Sequence, residues 1–307
     1  MTVELHVIRL FTHISLWRLN LTKENGNMVL NRIVDKVDFK MYRFAFCPGL
    51  DTPEGNKLQY LANVAADEQW FFEGRSPSRL DILYNYIHHT FNHIHEEQKI
   101  VFLGEKCYFN TGLFTKHFEE VFGVFEKNRR PNAQEWFFYG FFAESNIPLP
   151  VLPERADYFN DISDIIFDYR LPIRINTEHI LSDKERVKRL PLELRNVQNL
   201  SGAVQMTLRR IKTNYRLPVP QFYFGTKKIQ LLIPLYSSDP RNNEVKAVIP
   251  IEKDDTGTLY LGRTCLDMEQ AYNNARLIAK LDSAWLAPQL SNLVPNRSEA
   301  ATTRERS

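Results

Sequence analysis

Apolar residues recur every three to four positions in some stretches of this chain and every second position in others, which divides it into helices and hairpins. From residue 79 to 98, Leu80, Leu83, Ile87, Phe91 and Ile94 form one stripe. That stripe predicts a long helix, opened by Ser78 and Asp81 as an approximate capping box. Leu200, Val204, Leu208, Ile211 and Tyr215 predict a second helix over residues 192 to 215. Asp267 with Gln270 caps a third, whose apolar side is Met268, Ala271, Tyr272, Ala275 and Ile278. A shorter amphipathic helix is expected between residues 53 and 67, where Leu58, Leu61, Ala62 and Ala65 share a face.

The strands arrive mostly in pairs. Residues 100 to 103 and 106 to 110 flank a Gly104-Glu105 turn, and aromatic-rich segments 120 to 126 and 135 to 142 follow. Residues 41 to 47 and 172 to 177 read as single strands. The stretch from Tyr215 to Leu235 reads as the exit from a basic helix and a bend fixed by Pro218 and Pro220. After the bend, an aromatic strand turns at Gly225 into an aliphatic one. A further hairpin joins residues 245 to 251 and 258 to 261. Hairpins separated by helices imply an α+β fold, with a largely antiparallel sheet built of hairpins and three long helices packed on it. A doubly wound sheet would need regular strand-helix alternation. Residues 1 to 40, with a strand expected at 3 to 11 and a polar turn-like segment at 22 to 28, read as an N-terminal appendage. Residues 41 to 290 are expected to form a single domain, and 291 to 307 a disordered tail.

With 43% hydrophobic and 12% aromatic residues, the chain can build a sizeable core, which excludes a disordered class. The formal net charge of +2 carries no global nucleic-acid or membrane footprint, so any basic surface must be local. Cys47, Cys107 and Cys265 lack metal or disulfide spacing and read as reduced core thiols. Arg9, His13 and Arg18 interrupt the first twenty residues, so neither a signal peptide nor a membrane span is expected. A cytoplasmic protein without a membrane partner follows. Cofactor and oligomeric state are left open.

The chemistry lies in small constellations. Arg209, Lys212 and Arg216 share one side of the second helix, with Arg210 alongside, and Lys227 and Lys228 sit at the next turn. Such cations can neutralise phosphates, while Tyr215, Phe222, Tyr223 and Phe224 offer ring faces to unpaired bases. The same residues also suit a solvated helix face and core aromatics. Asn273, Asn274 and Arg276 on the third helix combine donors and acceptors suited to a purine edge, a phosphate or a tied-down loop. Asn110 and Thr111, before Gly112, can hold a ligand against backbone amides or make an Asx turn. Asp164, Asp168, His179 and Asp183 lie among Arg170, Arg174 and Arg186, which suits either phosphoester chemistry or surface ion pairing. His88, His89, His93 and His95 lack HExxH order and are expected to face solvent, so no metal is predicted. GxSxG, GxGxxG and GxxxxGK[ST] are absent.

Five stretches carry a resemblance: Phe109-Asn110-Thr111-Gly112-Leu113; Trp136-Phe137-Phe138; Asn214-Tyr215-Arg216 through Pro220-Gln221-Phe222-Tyr223; Gln230-Leu231-Leu232-Ile233-Pro234-Leu235; and Ala271-Tyr272-Asn273-Asn274-Ala275-Arg276. Within residues 41 to 288, they make the chain resemble the domain-of-unknown-function family numbered 3825. The family has no established activity, so the resemblance assigns no catalytic residue. Some members look like parts of larger proteins with cold-shock or other RNA-binding modules, which implies an RNA-linked role. The expectation is therefore an RNA- or nucleotide-associated domain that uses the basic helix and the aromatic strand. Two alternatives stand beside it. One is an enzyme acting on a phosphorylated nucleotide or RNA end, with Asn110, Gln221, Asn273 and Arg276 converging in a cleft. The other is a protein-interaction scaffold.

Overall fold

The computed structural model describes residues 18–24, 27–33, 39–159, 161–236, 244–281 and 286. In chain order, the hairpin β1 (Arg18–Glu24) and β2 (Asn27–Ile33) precedes α1 (Lys40–Phe44), β3 (Ala45–Phe46), α2 (Asn56–Val64) and α3 (Asp81–Glu96). Then come β4 (Val101–Leu103), β5 (Lys106–Phe114), β6 (Glu120–Lys127) and β7 (Trp136–Ala143). The second half runs through β8 (Ile173–Ile175), α4 (Thr177–Ser182), α5 (Lys184–Lys188) and α6 (Val197–Thr213). It ends with β9 (Val219–Tyr223), β10 (Lys228–Tyr236), β11 (Val245–Lys253), β12 (Tyr260–Gly262) and α7 (Met268–Arg276).

The α+β class is as expected, with the strands after residue 40 divided between two five-stranded sheets. One has the order β3-β7-β6-β5-β4 and the other β8-β12-β11-β10-β9. Both are antiparallel except for one edge pair each, β3 with β7 and β12 with β8. In the second sheet Leu231, Ile233, Leu235, Ala247, Ile249 and Ile251 pack with Leu200, Val204 and Ile211 of α6. Leu232 and Val248 join a different core, shared with α3, α7 and the first sheet. Alternation along a strand therefore serves two cores.

Helix α3 lies between the two sheets. Phe91 meets Phe109 of β5 and Phe125 of β6, with ring centroids 5.2 and 5.6 Å apart. On another side His93 meets Phe222 at 5.0 Å, and His89 stacks on Phe224 at 4.5 Å. This corrects the expectation that the histidines face solvent. His88 and His93 are buried, and only His95 of the four is exposed. Amphipathic periodicity identifies one apolar face, but it does not reveal a second layer closing over the polar one.

Local expectations changed for similar reasons. Lys40–Phe44 forms a turn of helix where a strand was expected, leaving only Ala45–Phe46 extended. The helical turn brings the Tyr42 hydroxyl to 2.9 Å from both the Tyr84 hydroxyl and His88 Nε2 on α3. The capping box at Ser78 and Asp81 does not form, because Asp81 receives Arg75 and Arg79 instead. The polar segment at 22 to 28 is mostly strand, with Glu24 opposite Asn27. The expected strand at 3 to 11 and the tail lie outside the described residues.

Burial lowers the His89 pKa to about 4. Its folded value thus lies below the ordinary value of about 6.5, so its neutral form supports the fold fully above that pH. This contribution is lost as pH falls toward 4. Urea denaturation at pH 7 and pH 5 should show wild type losing about 2 kcal/mol more than His89→Leu over that interval. Equal losses would mean that His89 titrates normally.

Candidate functional site

The bulge that interrupts β5 begins the site. Between Asn110 and Phe114 the pairing of β5 with β6 shifts register. Asn110 bridges the irregularity: its Nδ2 donates to the Pro153 carbonyl and to Glu120 Oε2, each at 3.1 Å, and its Oδ1 accepts from the Gly112 amide at 2.9 Å. Thr111 Oγ1 donates to the Val121 carbonyl at 2.6 Å. Gly112 has φ of +73°, and a Cβ there would stand 2.7 Å from the Tyr86 hydroxyl. Glycine is needed on both counts. Tyr86 Oη in turn donates to the Thr111 carbonyl at 2.9 Å, joining the bulge to α3.

Arg276, at the end of α7, arrives on the other side of Tyr86. It is buried, with its guanidinium carbon 5.0 Å from the Trp70 ring centroid and 4.6 Å from that of Tyr86. Glu68 receives it in a two-point pair, Nε to Oε1 and Nη2 to Oε2, the latter at 2.8 Å. Burial pushes the Arg276 pKa down, but the hydrogen bonds and charge of Glu68 outweigh this and hold it above the ordinary value. The residue therefore stays charged. Burial raises the Tyr86 pKa against the opposing pull of Arg276 and Arg155, keeping the phenol protonated.

A cleft of about 500 Å³ opens beside this pair. Trp70, Tyr86, Phe114, Tyr158 and Phe159 give it aromatic walls. Its charged lining consists of Arg155, Arg276 and Lys280 against Glu68. Arg155 lies 5.2 Å over the Phe114 ring and donates to the Gly112 carbonyl at 3.1 Å, while Lys280 donates to the Asp67 carbonyl at 3.0 Å. Both remain exposed. The Trp70 indole Nε1 is buried without an acceptor, although the ring lines the cleft. A ligand with a flat ring and an anionic group matches these walls and charges.

Of the four residues expected to converge, only Arg276 lines the cleft; Asn110, with Thr111, shapes the wall behind it. Gln221 belongs to a separate ladder: Asn274 Nδ2 donates to Gln221 Oε1 at 3.1 Å, Gln221 to Gln230 at 2.9 Å, and Gln230 to Glu252 at 2.9 Å. These amides tie α7 across β9, β10 and β11. Asn273 does not line the cleft, and its Oδ1 is buried without a partner.

The basic helix and the aromatic strand do not form one surface. Phe222 and Phe224 pack on α3, leaving Tyr215 and Tyr223 exposed. Arg209, Lys212 and Arg216 are exposed at the end of α6, while Arg210 lies 3.8 Å over the Tyr236 ring. Lys227 pairs with Glu96 at 2.8 Å, and the exposed Lys228 begins β10. Strand β9 separates these two lysines from Arg216 by roughly 15 Å of extended chain.

The expected acid-base cluster is divided: His179 and Asp183 share Arg186, whose Nη1 lies 2.6 Å from His179 Nε2, while Asp164 and Asp168 pair separately. Asp168 holds Arg170 at 2.7 Å, Asp164 lies 3.6 Å from Lys253, and Asp183 lies 3.7 Å from Arg186. Among the described residues, no group of three or more His, Cys, Asp or Glu side chains is placed to hold a metal ion. No described helix is long and apolar enough to cross a membrane. Sequence reasoning missed Glu68, Trp70, Tyr86, Arg155 and Tyr158. The Trp70-Phe71-Phe72 run was a signal of burial, whereas nothing in the sequence connects Glu68 to an arginine 208 positions away.

The molecule is thus an α+β protein of two mixed, mostly antiparallel sheets around a buried helix, with an aromatic cleft beside it. A family profile described as a domain of unknown function (DUF3825) matches residues 61–285, and the chain belongs to that family. No curated protein and no solved structure matches it.

Because Glu68 and Arg276 are both under a tenth exposed, removing one charge leaves the other stranded. Glu68→Gln should cost about 3 to 5 kcal/mol in urea denaturation, and adding Arg276→Met should recover much of it. A single variant as stable as wild type would show that water already satisfies Arg276.

Proposed function

We propose that this domain binds a nucleotide or the end of an RNA chain, with the base in the aromatic cleft and the phosphate at its cationic mouth. The observation that carries this reading is the cleft lining, where aromatic walls meet three cations and one carboxylate. Arg276 is already neutralised by Glu68, so the attraction for phosphate comes from Arg155 and Lys280. The volume lies within the ~300 to 1,000 Å³ common for small-molecule sites. The three cysteines are buried and free, which suits an intracellular protein.

A second reading keeps the α6 cations as an RNA contact. The helix contains no acidic residue, and among the described residues no carboxylate pairs with Arg209, Lys212 or Arg216. Cations in the last turn of a helix also stabilise it through the macrodipole, which accounts for Arg210 and Lys212 without a ligand.

Calorimetric titration with purine and pyrimidine mononucleotides and with short single-stranded RNA separates the two readings. For the cleft, Arg155→Ala and Lys280→Ala should each weaken binding about tenfold, the effect of losing one charge-assisted contact. Ligand should also perturb a fluorescence signal that Trp70→Phe removes. Changing Arg209, Lys212 and Arg216 together to Ala should leave mononucleotide affinity intact. Affinity insensitive to Arg155 and Lys280 but lost in the α6 variant would sink the cleft reading in favour of the second.

A further inference from the structure

A smaller hollow lies at the β8 edge of the second sheet and shares no residue with the cleft. Arg174 projects from β8, which pairs in parallel with β12 so that Arg174 stands opposite Leu261 and Ile175 opposite Gly262. Asn176 continues the pairing by donating its backbone amide to the Gly262 carbonyl at 3.0 Å, and its side chain then caps α4 by accepting from the His179 amide at 2.9 Å. This connection places His179 over the end of β12, where Arg263 follows. Arg174, Asn176, His179 and Arg263 line a hollow of about 260 Å³ with Leu261 and Gly262.

The residues around it include two arginines, a histidine and an asparagine, and no acidic residue. Among the described residues neither Arg174 nor Arg263 has a salt-bridge partner, and both are exposed. Of the acids that the sequence places nearby, Asp168 pairs with Arg170 and Asp183 with Arg186, while the exposed Glu178 lies in the first turn of α4 beside His179 and is not among the residues that line the hollow. Arg186 also fixes the imidazole: its Nη1 lies 2.6 Å from His179 Nε2. A guanidinium has no acceptor, so Nε2 must accept and the ring proton of neutral His179 resides on Nδ1. The imidazole is thereby prepared as a donor. Packing accounts for Gly262 separately, since a Cβ there would come within 2.9 Å of the Ile249 side chain.

We propose that this hollow binds a phosphate group. A tetrahedral oxyanion accepts several hydrogen bonds at once, and arginine forks supply them in pairs. The volume is below the ~300 Å³ at which small-molecule sites begin, so it suits the phosphate rather than an attached nucleoside. Two sources share this chemistry, a phosphate in a nucleic-acid backbone and a free or terminal phosphate. The inference does not depend on the cleft.

The test uses the full chain with inorganic phosphate in calorimetry and short single-stranded RNA in fluorescence anisotropy. Arg174→Ala with Arg263→Ala should weaken phosphate binding at least tenfold, the effect of losing one or more charge-assisted contacts. Far-UV circular dichroism should confirm that this surface variant is folded. Arg174→Lys with Arg263→Lys, which keeps charge without the fork, should fall between the two. Repeating the titrations in an Arg155→Ala/Lys280→Ala background removes any share the cleft has in phosphate binding, and the Arg174/Arg263 changes should still weaken what remains at least tenfold. If RNA binding also weakens in the Arg174/Arg263 variant and its salt dependence drops by about one to two units of slope, the phosphate belongs to a backbone. Loss of inorganic phosphate binding alone assigns a free or terminal phosphate. Wild type that binds no phosphate, or an Arg174/Arg263 variant that binds it equally well, overturns the proposal.

Discussion

Helix α3 has little solvent face, so most polar groups along it find partners in the protein around them, although Nδ1 of His89 and of His93 is buried without one. Tyr84 and His88 meet Tyr42 from α1, Tyr86 meets the Thr111 carbonyl of the β5 bulge, and His93 Nε2 donates to the Asp157 carbonyl at 2.8 Å. At its start Asp81 holds Arg75 and Arg79. Apart from the local pairs of Asp81, each bond brings a distant segment of the chain to the same helix. Leaving any such group unpaired would cost on the order of 1 to 3 kcal/mol, which makes the arrangement specific as well as buried.

The cleft follows from that enclosure. Tyr86 contributes its hydroxyl to the bulge and its ring to Arg276, so one side chain sets the separation of β5 and α7. Arg276 can be buried there only because Glu68 accompanies it and two aromatic rings flank its guanidinium. What remains open is the space bounded by those rings and by the backbone around Arg155 to Phe159. The polar residues of the bulge support the wall, and the exposed cations lie at its edge. Support of the wall and the exposed charge at the cleft's edge are therefore carried by different residues.

The two sheets also keep basic features apart. Helix α6 packs on residues of β10 and β11, while the rings of Phe222 and Phe224 are used against α3. The cations of α6, the β9–β10 turn and the β8 edge consequently form separate places on the molecule. A net charge of +2 is compatible with this, because acids such as Glu68, Glu96 and Asp168 compensate individual cations locally.

By itself, the sequence determined the elements whose signals are local. The stripe from Leu80 to Ile94, the cap at Asp267, the hairpin turning near Gly225 and the α+β class were legible because helix and strand periods act over a few neighbouring residues. It also singled out Asn110, Gln221 and Arg276 as candidate pocket residues, and of these Arg276 alone lines the cleft. Only the tertiary structure decided that Asn110 braces a bulge, that Gln221 joins an amide ladder and that Arg276 meets Glu68. It likewise decided that the histidines of α3 are enclosed. The physical reason is that burial and pairing depend on segments as far as 208 residues apart, and no periodicity in either segment encodes the other.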